Sequence, residues 1–380
     1  MSNHASTSDD AVRVVSSVQP NDSNPYFRLF YQALHAHGIE LVGTFVPSRR
    51  WLSEHREEFD VLHFHWPEWM MRSEPRWSRW LSRVPSGWRA RLLLRRVMPW
   101  VRLLEYKAFL RGARASGKRI AWTCHNVEPH EDRSWPIRSA FQTLAGKADL
   151  VICHDEHASS RCQTLYAPGG RIVVMPFGNY DGVYPQGRPR AEVLGEVGLA
   201  ADLPVLLCIG QVRPYKGTDV ACNAVAELGD TVSLLVAGSA PIPSYHRRIK
   251  KLVAALPNAV FINRELTDQE FSDFVRASDV VLLPYRSVTG SSAALAALTL
   301  GRGVIASDMP FFASLVHGHP NAARVFASGD PQALAEAIRG FLEVPAAERE
   351  RAARRLAARF DWAQVASPVA RSLRSLVRPC

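Results

Sequence analysis

The feature that most constrains this chain is a rhythm. Short runs of apolar, β-prone residues recur along its length, each separated from the next by a longer stretch of helical periodicity. Runs buried on both faces and joined by helices are the signature of parallel sheets covered by helices. The first series is Val12 to Val18, Val61 to Phe64, Arg119 to Cys124, Leu150 to Cys153 and Ile172 to Met175. The second is Val205 to Ile209, Val232 to Ala237, Ala259 to Ile262, Val280 to Leu283 and Val304 to Ala306. Between them Gly178, Gly182, Pro185, Gly187 and Pro189 form a cluster of breakers that marks a domain boundary. At 380 residues the chain also exceeds the usual size of a single core. The pattern predicts an α/β protein of two Rossmann-like, doubly wound domains, residues 1–185 and 186–360. Residues 361–380 are expected to form a C-terminal helix that packs back on the first domain. Two such domains facing one another across a cleft would take a ligand at the carboxyl ends of their strands.

Composition narrows the setting. No stretch approaches the roughly 18 apolar residues that cross a bilayer, and Met1 to Asp10 lacks a signal-peptide pattern. A cytoplasmic location is expected. The six cysteines have no CxxC spacing and four lie in or beside apolar runs, so they read as reduced and structural rather than as disulfides or zinc ligands. The net charge of +10 is concentrated between Arg72 and Arg114, where ten further cations oppose only Glu74 and Glu105. Trp77, Trp80, Trp88 and Trp100 interleave with them, with Pro85 and Pro99 expected to split the segment into at least two pieces. Arginine and tryptophan beside short apolar runs suit an anionic membrane surface. The same residues can bind nucleic acid or form a solvated basic face over core tryptophans. The membrane is the expected partner, reached peripherally from the inner face, with no nucleic acid.

Three constellations carry chemistry. In Gly210-Gln211-Val212-Arg213-Pro214-Tyr215-Lys216-Gly217 a buried run ends at Gly210 and a helix is expected from Thr218. Arg213 as a fork and Lys216 as a point charge can clamp a diphosphate there; the plain alternative is a loop with solvated cations. In the neighbouring unit, Gly290, Ser291 and Ser292 precede an alanine-rich helix whose first N–H groups form an anion site, or are simply capped by a serine. In the other half, His125 and Asn126 open a run containing Glu128, His130, Glu131 and Asp132. Any of those four can take a proton from an acceptor hydroxyl, and Glu131 is the expected base, followed by His130 and Asp132. His65 and Glu68 lie past the end of an earlier strand and are expected to bind acceptor, together with His125 and Asn126. His154-Asp155-Glu156-His157 looks metal-like, but Asp155 reads more simply as a helix cap. There is no Asp-x-Asp motif to hold a metal under a diphosphate, so the expectation is a metal-independent enzyme without cofactor.

These residues resemble a known pattern. GQVRPYKG is similar to the phosphate loop of GT-B glycosyltransferases in family 4 and its relatives. FINRELTDQEFSDFVRASDVVLLPY is similar to their nucleotide-base stretch, which implies donor contacts from Glu265 and Tyr285. RFDWAQVASPVARSLRSL resembles their closing helix. Retaining members carry a Glu-x7-Glu pair; alignment on Gly301 places Val288 and Ala296 there, neither acidic. SNPYFRLFYQAL, DVLHFHWPEWMMR and CHNVEPHEDRSW, with LPYRSVTGSSAALAAL, resemble glycosyltransferase family 94, the GDP-mannose:glycolipid β-1,4-mannosyltransferases. That resemblance implies the GT-B fold and inverting transfer of mannose from GDP-mannose to a lipid-linked oligosaccharide, in exopolysaccharide assembly. The alternatives are a retaining family-4-like enzyme using another donor of the UDP-glucose type, a sugar-nucleotide epimerase, and a catalytically silent scaffold. The basic tryptophan-rich segment argues against the epimerase, and Arg213 with Lys216 opposite a carboxylate-rich run argues against the scaffold.

Overall fold

The computed structural model describes residues 11–20, 24–68, 88–128 and 134–378. They form two compact units: residues 1–176 with 362–380, and residues 177–361. The chain passes from the first to the second ahead of the breaker-rich stretch and returns at Trp362.

In the first unit the strands are β1 (Val12–Ser16), β2 (Ile39–Thr44), β3 (Val61–Phe64), β4 (Arg119–Cys124), β5 (Leu150–Cys153) and β6 (Arg171–Val174). They make one parallel sheet in the order β2-β1-β3-β4-β5-β6. Its helices are α1 (Pro25–His35), α2 (Arg49–His55), α3 (Trp88–Ala115), α4 (Trp135–Lys147) and α5 (Glu156–Tyr166).

The second unit holds α6 (Arg190–Glu196), β7 (Val205–Ile209), α7 (Thr218–Leu228), β8 (Ser233–Ala237), α8 (Pro243–Ala254), β9 (Ala259–Ile262) and α9 (Asp268–Ala277). It continues with β10 (Val280–Leu283), α10 (Ser292–Thr299), β11 (Gly303–Ser307), α11 (Pro310–Val316), β12 (Ala323–Phe326), α12 (Pro331–Leu342) and α13 (Ala346–Ala358). The last helix, α14 (Trp362–Val377), belongs to the first unit and packs on α1, with Trp362 against the Tyr26 ring.

The second sheet runs β12-β11-β10-β7-β8-β9, all parallel. Its order reverses between β7 and β10. At such a switch point the two following loops diverge to opposite faces and leave a crevice at the strand ends, where α/β sheets bind ligands.

Two strands, β2 and β12, are absent from the sequence reading. Both lie at sheet edges, and their burial alternates with exposure instead of being continuous. Glu40 and Gly43 in β2 and Arg324 in β12 interrupt the apolar signal that identified the other strands. Of the two prolines expected to split the basic segment, Pro99 lies inside the helix α3, and Pro85 lies outside the described residues. An interior proline costs roughly 3 kcal/mol. Burying Leu103, Phe109 and Leu110 from the same helix, each 2% exposed or less, returns about 1.5–3 kcal/mol apiece. Packing outweighs the local penalty. Trp100 of that helix is 49% exposed, so it is not a core tryptophan.

Candidate functional site

The carboxyl ends of β7 and β10 are brought together by close backbone approach. After β7 the chain turns through Pro214–Lys216 in a single 3-10 turn, and Gly217 follows with φ 67°. A side chain there would sit on the carbonyl oxygen of Pro284, just past β10. Only glycine tolerates both that contact and the left-handed backbone. The Arg286 N–H then donates to the Tyr215 carbonyl at 2.7 Å, stitching one loop to the other.

Side chains complete the join. Asp219, in the first turn of α7 and only 3% exposed, accepts both ends of the Arg286 guanidinium at 2.9 Å. It also accepts the Tyr245 hydroxyl and pairs with Arg248, each at 2.8 Å. Arg286 donates further to the Pro214 carbonyl. Burial works against ionisation of Asp219, but its bonds to Arg286 and Tyr245 hold the carboxyl below its usual range. Fork-to-fork pairing of this kind combines charge with fixed geometry. The sequence reading missed Asp219, Arg286, Tyr245 and Arg248; only the KG-x-D spacing after the loop hinted at an acid so placed.

A pocket at these strand ends is lined by Gly210, Gln211, Lys216, Thr218, Pro284 and Tyr285, among others. Lys216 Nζ lies 5.4 Å from the centre of the Tyr285 ring. Burial lowers its pKa, but the phenol oxygens of Tyr285 and Tyr215 outweigh that, and the ammonium is held above its ordinary value. Of the expected donor residues, Gly210, Lys216 and Tyr285 therefore share one pocket, with Gly217 supporting it. Arg213 is in the same loop, and its Nε donates to Gln211 at 3.0 Å. Ser291 caps α10 by accepting the Ala294 N–H, so this serine is a helix cap as well as the start of the candidate anion site. Gly290 lies against the Phe177 ring with no room for a side chain. Ser292 is exposed as the first residue of α10. Glu265 is exposed in the loop after β9, and its carbonyl accepts from Arg264.

In the first unit, the expected acceptor residues are less open than their position past the strand ends implied. His65 is 1% exposed, because α1 covers the ends of β1 and β3 with Phe27, Phe30 and Tyr31, and Glu68 is 8% exposed. His65 bonds Tyr31 and His125, His63 bonds Tyr31 and Thr123, and His125 bonds His154. The half-buried His125 ring stacks on Trp66 at 4.6 Å, and Asn126 follows it. Asp155 caps α5, as the simpler reading of that run holds, while its neighbour His154 joins the histidine cluster. Glu128 pairs with Arg161 at 2.6 Å. Glu131, His130 and Asp132 lie outside the described residues. Cys124, Cys153 and Cys162 converge, with their sulfurs within 4.8 Å of one another in the apolar core. No histidine or carboxylate joins that group among the described residues.

Two all-parallel, doubly wound sheets with a loop-lined pocket at the second one's switch point define the GT-B fold, and the chain is a glycosyltransferase. Residues 203–343 match the family model described as glycosyl transferases group 1. The chain is similar to GDP-mannose:glycolipid 4-beta-D-mannosyltransferase of Xanthomonas campestris pv. campestris, 25% identical over 293 residues, covering 77% of this chain and 72% of that protein. It is also similar to D-inositol 3-phosphate glycosyltransferase of Xylanimonas cellulosilytica, 27% identical over 326 residues, covering 82% and 72%. Among solved structures, sucrose-phosphate synthase from Thermosynechococcus elongatus superposes with a TM-score of 0.69 at 17% identity, covering 96% of this chain and 99% of that one. HepE of Anabaena in complex with UDP gives 0.68 at 15%, covering 96% and 100%.

Two outcomes follow. Asp219→Asn weakens the loop-to-loop join without touching the pocket lining, so donor KM is expected to rise about tenfold, with a smaller change in kcat; equal donor KM in the variant contradicts the role. Burial lowers the pKa of His63 to about 3 and of His154 to about 4, and those of His65 and His125 well below 6.5. The facing groups are one another and the hydroxyls of Tyr26, Tyr31 and Thr123. An unfolded chain takes up protons on these rings as pH falls through about 6.5, while the folded chain does not. Stability is therefore complete above that pH and is lost on going down towards 4, by up to about 1.4 kcal/mol per pH unit for each ring. Urea midpoints measured from pH 7.5 to 4.5 test this, and a flat profile contradicts it.

Proposed function

We propose that this glycosyltransferase moves mannose from GDP-mannose onto a lipid-linked oligosaccharide, with inversion, in exopolysaccharide assembly at the inner face of the cell membrane. The observation that carries the reading is the pocket where Lys216 and Tyr285 meet at the β7/β10 switch point, in a chain similar to a GDP-mannose:glycolipid mannosyltransferase. In a single displacement the acceptor oxygen loses its proton to the base and forms a bond to the anomeric carbon. The bond from that carbon to the diphosphate oxygen breaks, and its electron pair leaves with the nucleotide. Glu131 is the proposed base, with His130 and Asp132 beside it in sequence. Arg213, Lys216 and the first N–H groups of α10 face the departing charge, so no metal is required. Val288 and Ala296, where the retaining pattern has carboxylates, support inversion.

A second reading is retention with a UDP-sugar, which the family-4-like loop at 210–217 leaves open. The two give opposite anomers.

A surface stripe supports the membrane. Val97, Trp100 and Leu104 recur at i, i+3 and i+7 on α3 and are 46%, 49% and 65% exposed. Trp135, 56% exposed, stacks on Trp100 at 4.7 Å, and Lys107 Nζ lies 5.8 Å from the centre of the Trp135 ring. Arg111 and Arg138 are exposed nearby in sequence. Apolar tips with flanking cations suit an anionic bilayer interface. No described helix is long and apolar enough to cross it.

Nucleotide release with GDP-mannose and a lipid-linked acceptor, insensitive to EDTA and yielding the β-anomer by NMR, is the expected result. Lys216→Ala should lower kcat about 100-fold, and turnover with UDP-glucose alone would establish the second reading. Replacing Trp100 and Trp135 by Ala should weaken binding to phosphatidylglycerol-containing vesicles about tenfold; unchanged binding removes this stripe from the role.

A further inference from the structure

The polar side chains beneath α1 are joined end to end, and one backbone group decides the proton on each. His154 Nδ1 lies 3.0 Å from the Met175 carbonyl oxygen, which only accepts, so Nδ1 carries the proton. In the neutral ring Nε2 then carries no proton and accepts; the Tyr26 hydroxyl reaches it at 3.5 Å, and His125 Nδ1, closer at 3.3 Å, donates to it because an unprotonated Nδ1 would set two lone pairs against each other. The bare Nε2 of His125 accepts from His65 Nδ1 at 3.0 Å. In the same sense His65 Nε2 accepts from the Tyr31 hydroxyl at 3.0 Å, and the Tyr31 oxygen accepts from His63 Nδ1 at 2.8 Å. The last link is the Thr123 hydroxyl donating to His63 Nε2 at 2.8 Å. Six bonds run in one direction, from Thr123 to Met175. The opposite direction would require a carbonyl to donate.

We infer that this chain of four histidines is a positioning device, fixing His125 as the Nδ1–H tautomer with a set ring orientation at the end of β4. Four elements supply it: Tyr31 from α1, His63 from β3 with His65 just past its end, Thr123 from β4 with His125 just past its end, and His154 just past β5. All of it lies in the first unit. Rings so buried are neutral, because a proton added to any of them would turn an acceptor into a second donor facing a donor. The same order removes these four rings from the role of general base, since each unprotonated nitrogen already accepts a hydrogen bond from its neighbour. Their effect on transfer is indirect, through the His125-Asn126 turn that opens the run holding the base. That last step rests on the proposed function; the proton order does not.

The test uses full-length protein labelled with 15N histidine, with long-range 1H–15N correlations assigned through single variants. All four rings are expected as Nδ1–H tautomers at pH 7.5. His154→Leu removes the anchor, so His125 and His65 should become tautomer mixtures, and kcat should fall about 10- to 100-fold while donor KM stays within a factor of about two. His154→Gln, whose Oε1 can take the place of Nε2, should keep the His125 tautomer and restore most of kcat. Tyr31→Phe cuts the chain above His125 and should leave its tautomer unchanged. An Nε2–H His125 in the wild type, or equal disturbance of His125 by Tyr31→Phe and His154→Leu, overturns the proton order. A scrambled His125 with normal kcat overturns the positioning role. Absence of transfer by the wild type with every donor counts against the proposed function and leaves the spectroscopic result standing.

Discussion

The second unit depends on how one buried carboxylate is compensated. Asp219 sits beneath a loop proposed to hold a diphosphate, and an unpaired negative charge there would repel the ligand and resist burial. Arg286 and Arg248 neutralise it, and Tyr245 fills a further acceptor position. The pairing also draws the segment after β10 against the segment after β7, where Gly217 lets the backbones meet. Those arginines are committed to Asp219, whereas Lys216 lines the pocket.

The first unit solves a different problem with a different device. Its polar groups are covered by α1, stay neutral and satisfy one another through directed hydrogen bonds. Neutral links cost less to bury than ions but demand a consistent proton order. One unit is thus organised by charge pairing and the other by hydrogen-bond direction, although their sheets are built alike.

Much of the architecture was legible because central parallel strands are buried on both faces and leave unbroken apolar runs. The ten runs overlap strands, the edge strands β6 and β9 included; β2, interrupted by Glu40 and Gly43, and β12, interrupted by Arg324, left none. The loop at 210–217 was legible because glycines and cations at a strand end have few other uses. Pro99 misled, since the cost of an interior proline is local and visible in sequence, whereas the core contacts of α3 that exceed it come from residues far along the chain. His65 misled in the same way: nothing near it in sequence announces that Tyr31 and Phe27 will lie over it.

By itself, then, the sequence determined the alternation of strands and helices, the two-sheet α/β class, and the position of the loop with Arg213 and Lys216. These are set by periodicity and by backbone requirements that act over a few residues. Tertiary structure alone decided that Asp219 reaches Arg286 across 67 positions, and that His65 meets His125 across 60. Partners that far apart are chosen by strand order, because a parallel crossover carries each new strand end to a place that no local pattern encodes.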